Sequence, residues 1–317
     1  MRRVLVTGGG GFIGSHLAET LVRDGVEVRV LDDFSSGRPE NLSGFRDRLE
    51  LLEGDVRDHE LLGRATEGVE VVFHEAAVPS VPRSVAEPLR TNDVNVNGTL
   101  GLLEAAREAG VRRLVFAASS SAYGDTPVLP KVETMVPTPL SPYALQKLAG
   151  EQYCRLYTDL YGLETVALRY FNVYGPRQNP QSEYAAVIPK FVTACLDGIA
   201  PIIYGDGEQT RDFTYVADVV RANLLAASAP GAAGQVINVA GGGRISLNQL
   251  LGHIRELCGA SAEASYHPAR AGDVRDSQAD LSRARSVLGF EPTTPIEEGL
   301  ESTIDHFRKL QSEGKDA

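Results

Sequence analysis

The sequence predicts an α/β protein built on a doubly wound parallel sheet, with a smaller C-terminal lobe. Two observations carry that expectation. Nearly apolar, β-branched runs alternate with longer helical patterns over roughly the first 170 residues, and a glycine-rich turn joins the first run to the first helical pattern. The strand candidates are Arg3–Val6, Glu27–Leu31, Leu49–Glu53, Val69–Phe73, Arg113–Ala117 and Thr165–Arg169. Apolar residues at successive rather than alternate positions mark parallel strands that helices cover on both faces. Helical spacing is clearest in Ile13–Arg23, Val94–Ala109 and Pro142–Tyr161. After about Asn172 the rhythm gives way to Gly- and Pro-rich connections such as Tyr174-Gly175-Pro176, Gly205-Asp206-Gly207 and Gly241-Gly242-Gly243. The expected division is a sheet domain over 1–172, to which a later segment returns, and a second lobe mainly over 173–317. The polar tail Ser312–Ala317 is expected to fray.

Composition narrows the function classes. The chain has 317 residues, 43% hydrophobic and 23% charged, which describes a packed globular protein. Its formal charge of −11 disfavours nucleic acid and anionic membranes as partners, so an anionic ligand would need a local cluster of arginines. No apolar stretch approaches the ~18 residues of a membrane span. The short apolar start, Met1 to Val6, is broken by Gly8–Gly11 before it could act as a signal segment. Cys154, Cys195 and Cys258 are odd in number and show no CxxC spacing, so neither a disulfide framework nor a metal site is expected. A soluble protein of a reducing compartment, the cytoplasm, is the expectation.

The turn Gly8-Gly9-Gly10-Gly11-Phe12-Ile13-Gly14 places glycines at 8, 11 and 14, a variant of the dinucleotide fingerprint. The first glycine permits the tight turn, the second lets backbone amides approach a pyrophosphate, and the third lets the helix pack on the sheet. The second strand ends in Asp32-Asp33, where a carboxylate accepts hydrogen bonds from a ribose diol and repels a 2′-phosphate. NAD is therefore favoured, with Arg38 keeping NADP open. Asp55-Val56 and His74-Glu75-Ala76-Ala77 follow the third and fourth strands, at the edge where such sheets bind ligands. Asp55 could meet an adenine amino group or cap a helix. Ala76 and Ala77 leave room for a cofactor, and His74 reads as a buried, hydrogen-bonded side chain.

Ser141-Pro142-Tyr143 opens a helix with a good N-cap and a proline at the first helical position. Tyr143 and Lys147, four apart, share a face. A phenol of ordinary pKa near 10 is a poor base at neutral pH, and a nearby ammonium and a cationic nicotinamide would lower that value. Ser119-Ser120-Ser121 ends the fifth strand, where a hydroxyl could bond the oxygen being oxidised, although serine is also an ordinary turn residue there.

In this order the pieces resemble the extended short-chain dehydrogenase/reductase family, and within it the UDP-hexose 4-epimerases. The resemblance runs from Val4 to about Phe290 and includes Ser80-Val81-Pro82-Arg83-Ser84, Asn95-Val96-Asn97-Gly98-Thr99, Ser119–Asp125, Leu168–Gly175, Arg211-Asp212-Phe213 and Gly272-Asp273-Val274-Arg275. It implies a Rossmann-type sheet, bound NAD, Tyr143 as base, Lys147 beside it and Ser119 on the same sugar oxygen. It also implies cofactor contacts from Ser36, Gly37, Asn95, Tyr170 and Val173. For the substrate it implies Ser80, Arg83, Ser120 and Ser121 near the sugar, and Asn172, Arg211 and Arg270 on the diphosphate. Asp273 would grip the uridine ribose, and Ala186, Val187 and Tyr204 would wall the uracil. Related dehydratases carry an acid pair, and decarboxylases a glutamate, within the segment occupied here by Ser119–Ser121, so elimination chemistry is not expected. Ser277 resembles a gate that is small where N-acetyl sugars are accepted, and the Ser80–Ser84 segment is most similar to UDP-N-acetylglucosamine 4-epimerases. A UDP-glucuronate 4-epimerase and a catalytically silent NAD-binding sensor remain as alternatives. A homodimer is implied by the family, through Val94–Ala109 and Pro142–Tyr161.

Overall fold

The structure, a computed structural model, describes residues 1–180, 186–269 and 274–313. Strands β1 (Arg3–Thr7), β2 (Glu27–Asp32), β3 (Glu50–Glu53), β4 (Val71–His74), β5 (Arg113–Ser119) and β6 (Glu164–Tyr170) form one parallel sheet in the order β3-β2-β1-β4-β5-β6. A seventh strand, Gln235–Val239, pairs in parallel with β6. The direction of winding reverses between β1 and β4, which opens a crevice at the carboxyl edge of the sheet.

Local sequence explains the elements that frame this crevice. Helix Phe12–Arg23 buries Gly14, Leu17, Ala18, Leu21 and Val22, a helical stripe laid on the sheet. Helix Pro142–Tyr161 starts where the Ser141 hydroxyl accepts the Ala144 amide at 3.2 Å and ends at Gly162 in the left-handed conformation. Gly150 lets this helix settle on β5, since a Cβ there would meet the Phe116 ring at 2.5 Å. Glu151 then clamps it to β6 through two bonds from Arg169, at 2.8 and 2.7 Å.

Two expectations change. The segment Val94–Ala109 is not one regular helix: helical chain begins at Pro88, widens into a π turn over Asp93–Asn97 and continues as Gly98–Glu108. The Asn95 side chain in that wide turn points inward, bonding Val78 and Gln146. β3 is not covered on both faces either. It is the edge strand, and Glu50 and Glu53 are exposed.

One apolar layer packs helices Phe12–Arg23 and Val216–Ala226 on the sheet; the other packs His59–Thr66, Gly98–Glu108 and Pro142–Tyr161. Helix Val216–Ala226 and strand Gln235–Val239 thus join the sheet although they follow Asn172 in sequence. A third core unites helices Val187–Leu196, Leu247–Cys258 and Ile296–Glu313 away from the sheet. That last helix continues through Ser312, and 314–317 lie outside the described residues. Among the described residues no helix is long and apolar enough to cross a membrane, and no cluster of metal-ligating side chains occurs.

Candidate active site

The crevice widens into a cleft of about 1230 Å³ lined from both the sheet and the third core's connections. Single small-molecule sites occupy about 300–1,000 Å³, so this one has room for a dinucleotide and a second ligand together.

Its cofactor end is built from backbone. Gly8 has φ +69°, and a Cβ on it would meet the Ala76 amide nitrogen at 2.6 Å; a Cβ on Gly14 would lie 2.1 Å from the Gly8 carbonyl oxygen. Only glycine fits either place. Helix Phe12–Arg23 begins at Gly11 with no side-chain cap, leaving its first amides to face a pyrophosphate. Asp32 is fixed by the Gly10 and Phe34 amides, each at 2.8 Å, and burial raises its carboxyl above the usual range. Gly8, Gly11, Phe12, Ile13, Gly14, Asp32, Asp33, Ser36, Asp55, Val56, Ala76, Ala77, Tyr170 and Val173 all line the cleft. These residues fit NAD: a glycine cradle with no room for side chains, followed by a fixed carboxylate at the end of β2. Gly37 does not line the cleft, because it packs behind the turn, where a Cβ would meet the Gly10 carbonyl carbon at 2.8 Å. Asn95 is also removed from the cleft; its amide is consumed by Val78 and Gln146. Asp55 is held by Arg57, and the following helix is capped by Asp58 instead. His74 is buried as expected, its ring between Thr7 and Thr99 at 2.7 and 2.9 Å, and desolvation lowers its pKa to about 3.

At the centre of the cleft stand Ser119 and Tyr143, with Lys147 one helical turn deeper. The Lys147 ammonium donates to the Ala117 carbonyl at 2.8 Å and lies 5.0 Å from the centre of the Phe116 ring. Burial lowers its pKa to about 8, an effect that the charge of Glu75 opposes. The Tyr143 phenol is pushed up to about 12, by burial first and by Glu75 as well, against a hydrogen bond with Ser119. Lys147 therefore does not hold the phenol low in this arrangement; burial and Glu75 raise it, and only the Ser119 hydrogen bond opposes them. Glu75 is the residue the sequence reading passed over. Its signal was present: a carboxylate at the carboxyl end of β4, directly beside the alanines assigned to the cofactor.

At the other end, Ser80, Arg83, Ser120, Ser121, Asn172, Ala186, Arg211 and Ser277 line the cleft. The Asn172 amide donates to the Asp212 carbonyl at 3.0 Å and to the Ser277 hydroxyl at 3.2 Å, with its backbone at φ +32°. Arg211 is anchored by the carbonyls of Thr210 and Arg275. Val187 and Tyr204 do not line the cleft: Val187 packs on the third core, and Tyr204 stands 5.8 Å from the His267 ring. Arg270 and Asp273 lie outside the described residues.

Fold and site together define a dinucleotide-dependent enzyme of the Rossmann class. Residues 4–240 match the model of the NAD dependent epimerase/dehydratase family, and the chain belongs to it. A UDP-glucose 4-epimerase of Mycolicibacterium smegmatis is 46% identical over 96% of this chain and 98% of its own. The UDP-glucose 4-epimerase of Thermotoga maritima, solved with UDP-glucose, superposes with a TM-score of 0.93 at 42% identity, covering 98% of this chain and 99% of that one. The UDP-N-acetylglucosamine 4-epimerase of Methanobrevibacter ruminantium, solved with UDP-N-acetylmuramic acid, gives 0.94 at 42% identity over the same shares. The protein is an isomerase of the epimerase type, and NAD is its cofactor.

Proposed function

We propose that the enzyme inverts C4 of a UDP-hexose, acting on the UDP-N-acetylglucosamine/UDP-N-acetylgalactosamine pair and on UDP-glucose/UDP-galactose. The observation that carries this reading is the placement of the Tyr143 phenol beside Ser119, within the cleft that the glycine turn opens.

In this reading Tyr143 takes the proton of the sugar 4-hydroxyl and later returns it, while Ser119 bonds the same oxygen and steadies it. NAD, when bound, would supply the redox chemistry as acceptor and donor of a hydride, and its oxidised form would add positive charge to the site. Lys147 supplies the fixed charge beneath. Asp32 holds the adenosine ribose, and the amides after Gly11 hold the pyrophosphate. Arg211, with Arg270, binds the substrate diphosphate by charge-assisted bonds, and the Asn172 amide joins them by turning one N–H from the Ser277 hydroxyl to a phosphate oxygen. Asp273 is assigned to the uridine ribose. The division into a cofactor domain over 1–172, to which a later segment returns, and a nucleotide-sugar lobe mainly over 173–317 belongs to the same proposal. Ser120 and Ser121 offer no carboxyl group for elimination, which favours simple epimerisation. The small Ser277, tied to Asn172, leaves space for an acetamido group and supports the acetylated substrates.

Exposed Leu145, Leu156 and Leu160, on one side of helix Pro142–Tyr161, support a homodimer through that face. The three free cysteines suit the cytoplasm.

Tyr143→Phe tests the reading. The variant should lose about a thousandfold in turnover, the middle of the range for removing a general base, and should still carry NAD and bind UDP-sugar. A variant that kept most of its turnover would remove Tyr143 from the mechanism.

A further inference from the structure

A buried carboxyl group shares the floor of the cleft with the tyrosine and lysine. β4 and β5 pair in register with His74 opposite Phe116, so the next residues along, Glu75 and Ala117, lie abreast at the carboxyl edge. The Ala117 carbonyl is the acceptor of the Lys147 ammonium at 2.8 Å. Glu75 lines the cleft, and its Oε1 accepts a hydrogen bond from the Tyr170 hydroxyl at 2.8 Å. The Tyr170 oxygen in turn accepts from the Asn223 amide at 2.8 Å, and that amide is steadied by the Val219 carbonyl at 3.0 Å. The carboxyl is thus aimed by a chain of bonds that runs from helix Val216–Ala226 through β6 to β4.

We propose that Glu75 is a positioning residue of the reaction, the counter-charge that keeps Lys147 an ammonium and sets the pH window in which Tyr143 and Lys147 work. The inference rests on the proposed role of Tyr143 as base. A buried ammonium with a carbonyl and an aromatic face as neighbours needs an opposite charge nearby to stay protonated. Glu75 supplies it through space from the strand beside the Ala117 carbonyl that holds the ammonium, and its charge raises the pKa of both the Lys147 ammonium and the Tyr143 phenol. Desolvation pushes Glu75 itself up to about 7, with Tyr170 and Lys147 opposing. The other titratable groups packed here do not replace it. His74 is lowered by burial and by Lys147 and stays neutral at neutral pH, while burial and Glu75 raise the Tyr170 phenol. Cys154, which also faces Lys147 electrostatically, is raised by burial and by Glu151 and stays a thiol.

The sign of the effect follows. Removing the negative charge makes both the phenol and the ammonium give up their protons at lower pH. Glu75→Gln keeps an oxygen for Tyr170 and deletes the charge. In this holoenzyme variant both limbs of the kcat against pH profile should move acidward by half a unit or more. The Tyr143 phenolate absorbance near 295 nm, isolated by subtracting the matching Tyr143→Phe protein, should titrate at lower pH by a similar amount. Glu75→Asp, which restores a charge, should bring the limbs back toward those of the parent. A merely structural role would lower the height of the profile and leave its limbs and the absorbance midpoint in place, and that result would overturn the proposal. The phenol titration needs no turnover. Its failure to move would sink the role of Glu75, whereas retained turnover in Tyr143→Phe would sink the role of Tyr143.

Discussion

Tyr143, Lys147 and Glu151 follow one another at intervals of four on the helix that ends at Tyr161, so one face carries the proposed base, its ammonium and a buried carboxylate. Glu151 and Arg169 are each 2% exposed and joined by two parallel bonds, and the guanidinium also lies 4.5 Å from the centre of the Tyr123 ring. Glu151→Ala would leave that arginine charged and without its counter-ion in the core. Arg169 cannot shed its charge, because the paired carboxylate and Tyr123 raise its pKa against burial. Breaking one partner of such a pair costs about 3–5 kcal/mol. With an unfolding entropy of about 2.1 cal/mol/K per residue, a chain of this length loses about 0.7 kcal/mol per degree, so 4 kcal/mol lowers the melting midpoint by roughly 6 °C. Replacing both members, Glu151→Leu with Arg169→Met, removes charge and countercharge together and should recover most of that loss. The assay is thermal unfolding of the NAD-loaded protein followed by circular dichroism, with the cofactor concentration held fixed because bound ligand shifts the midpoint. A fall of less than about 2 °C in Glu151→Ala, or a double variant less stable than the single one, would refute the claim that this pair fastens the catalytic helix to β6.

Two further outcomes are expected. Ser277→Tyr should cut kcat/KM on UDP-N-acetylglucosamine by about tenfold or more while leaving UDP-glucose within about twofold, as judged by NMR of the product sugars; equal losses on both would remove Ser277 as a gate. The purified protein should sediment at twice the mass of its chain, and Leu145→Glu with Leu160→Glu should shift it to one chain; a monomeric parent would exclude the proposed face.

The alternation of apolar runs and helical patterns made the first six strands legible from sequence, five of them because parallel strands buried on both faces leave a continuous signal; β3, the edge strand with exposed glutamates, was found although that reason does not hold for it. The glycine turn, the carboxylates after β2 and the capped helix carrying Tyr143 and Lys147 were legible for another reason: each depends on backbone geometry that only a few residue types permit. Asn95, Gly37 and Tyr204 show the limit. Each lies in a motif shared with cofactor- or substrate-binding segments, yet whether a residue faces a cleft or packs on a neighbouring element depends on chain that is distant in sequence. Asn95 meets Gln146 across 51 positions.

Spacing therefore marked the candidate groups, a dinucleotide cradle, a hydroxyl and a phenol–amine pair, and the family resemblance gave them roles. The electrostatics of that pair was decided only by packing. Burial and a carboxylate arriving from β4 set the proton affinity of Tyr143, and Lys147 turned to a backbone carbonyl beneath the floor. Charges act through space with a strength that desolvation governs, and neither distance nor desolvation can be read along a chain.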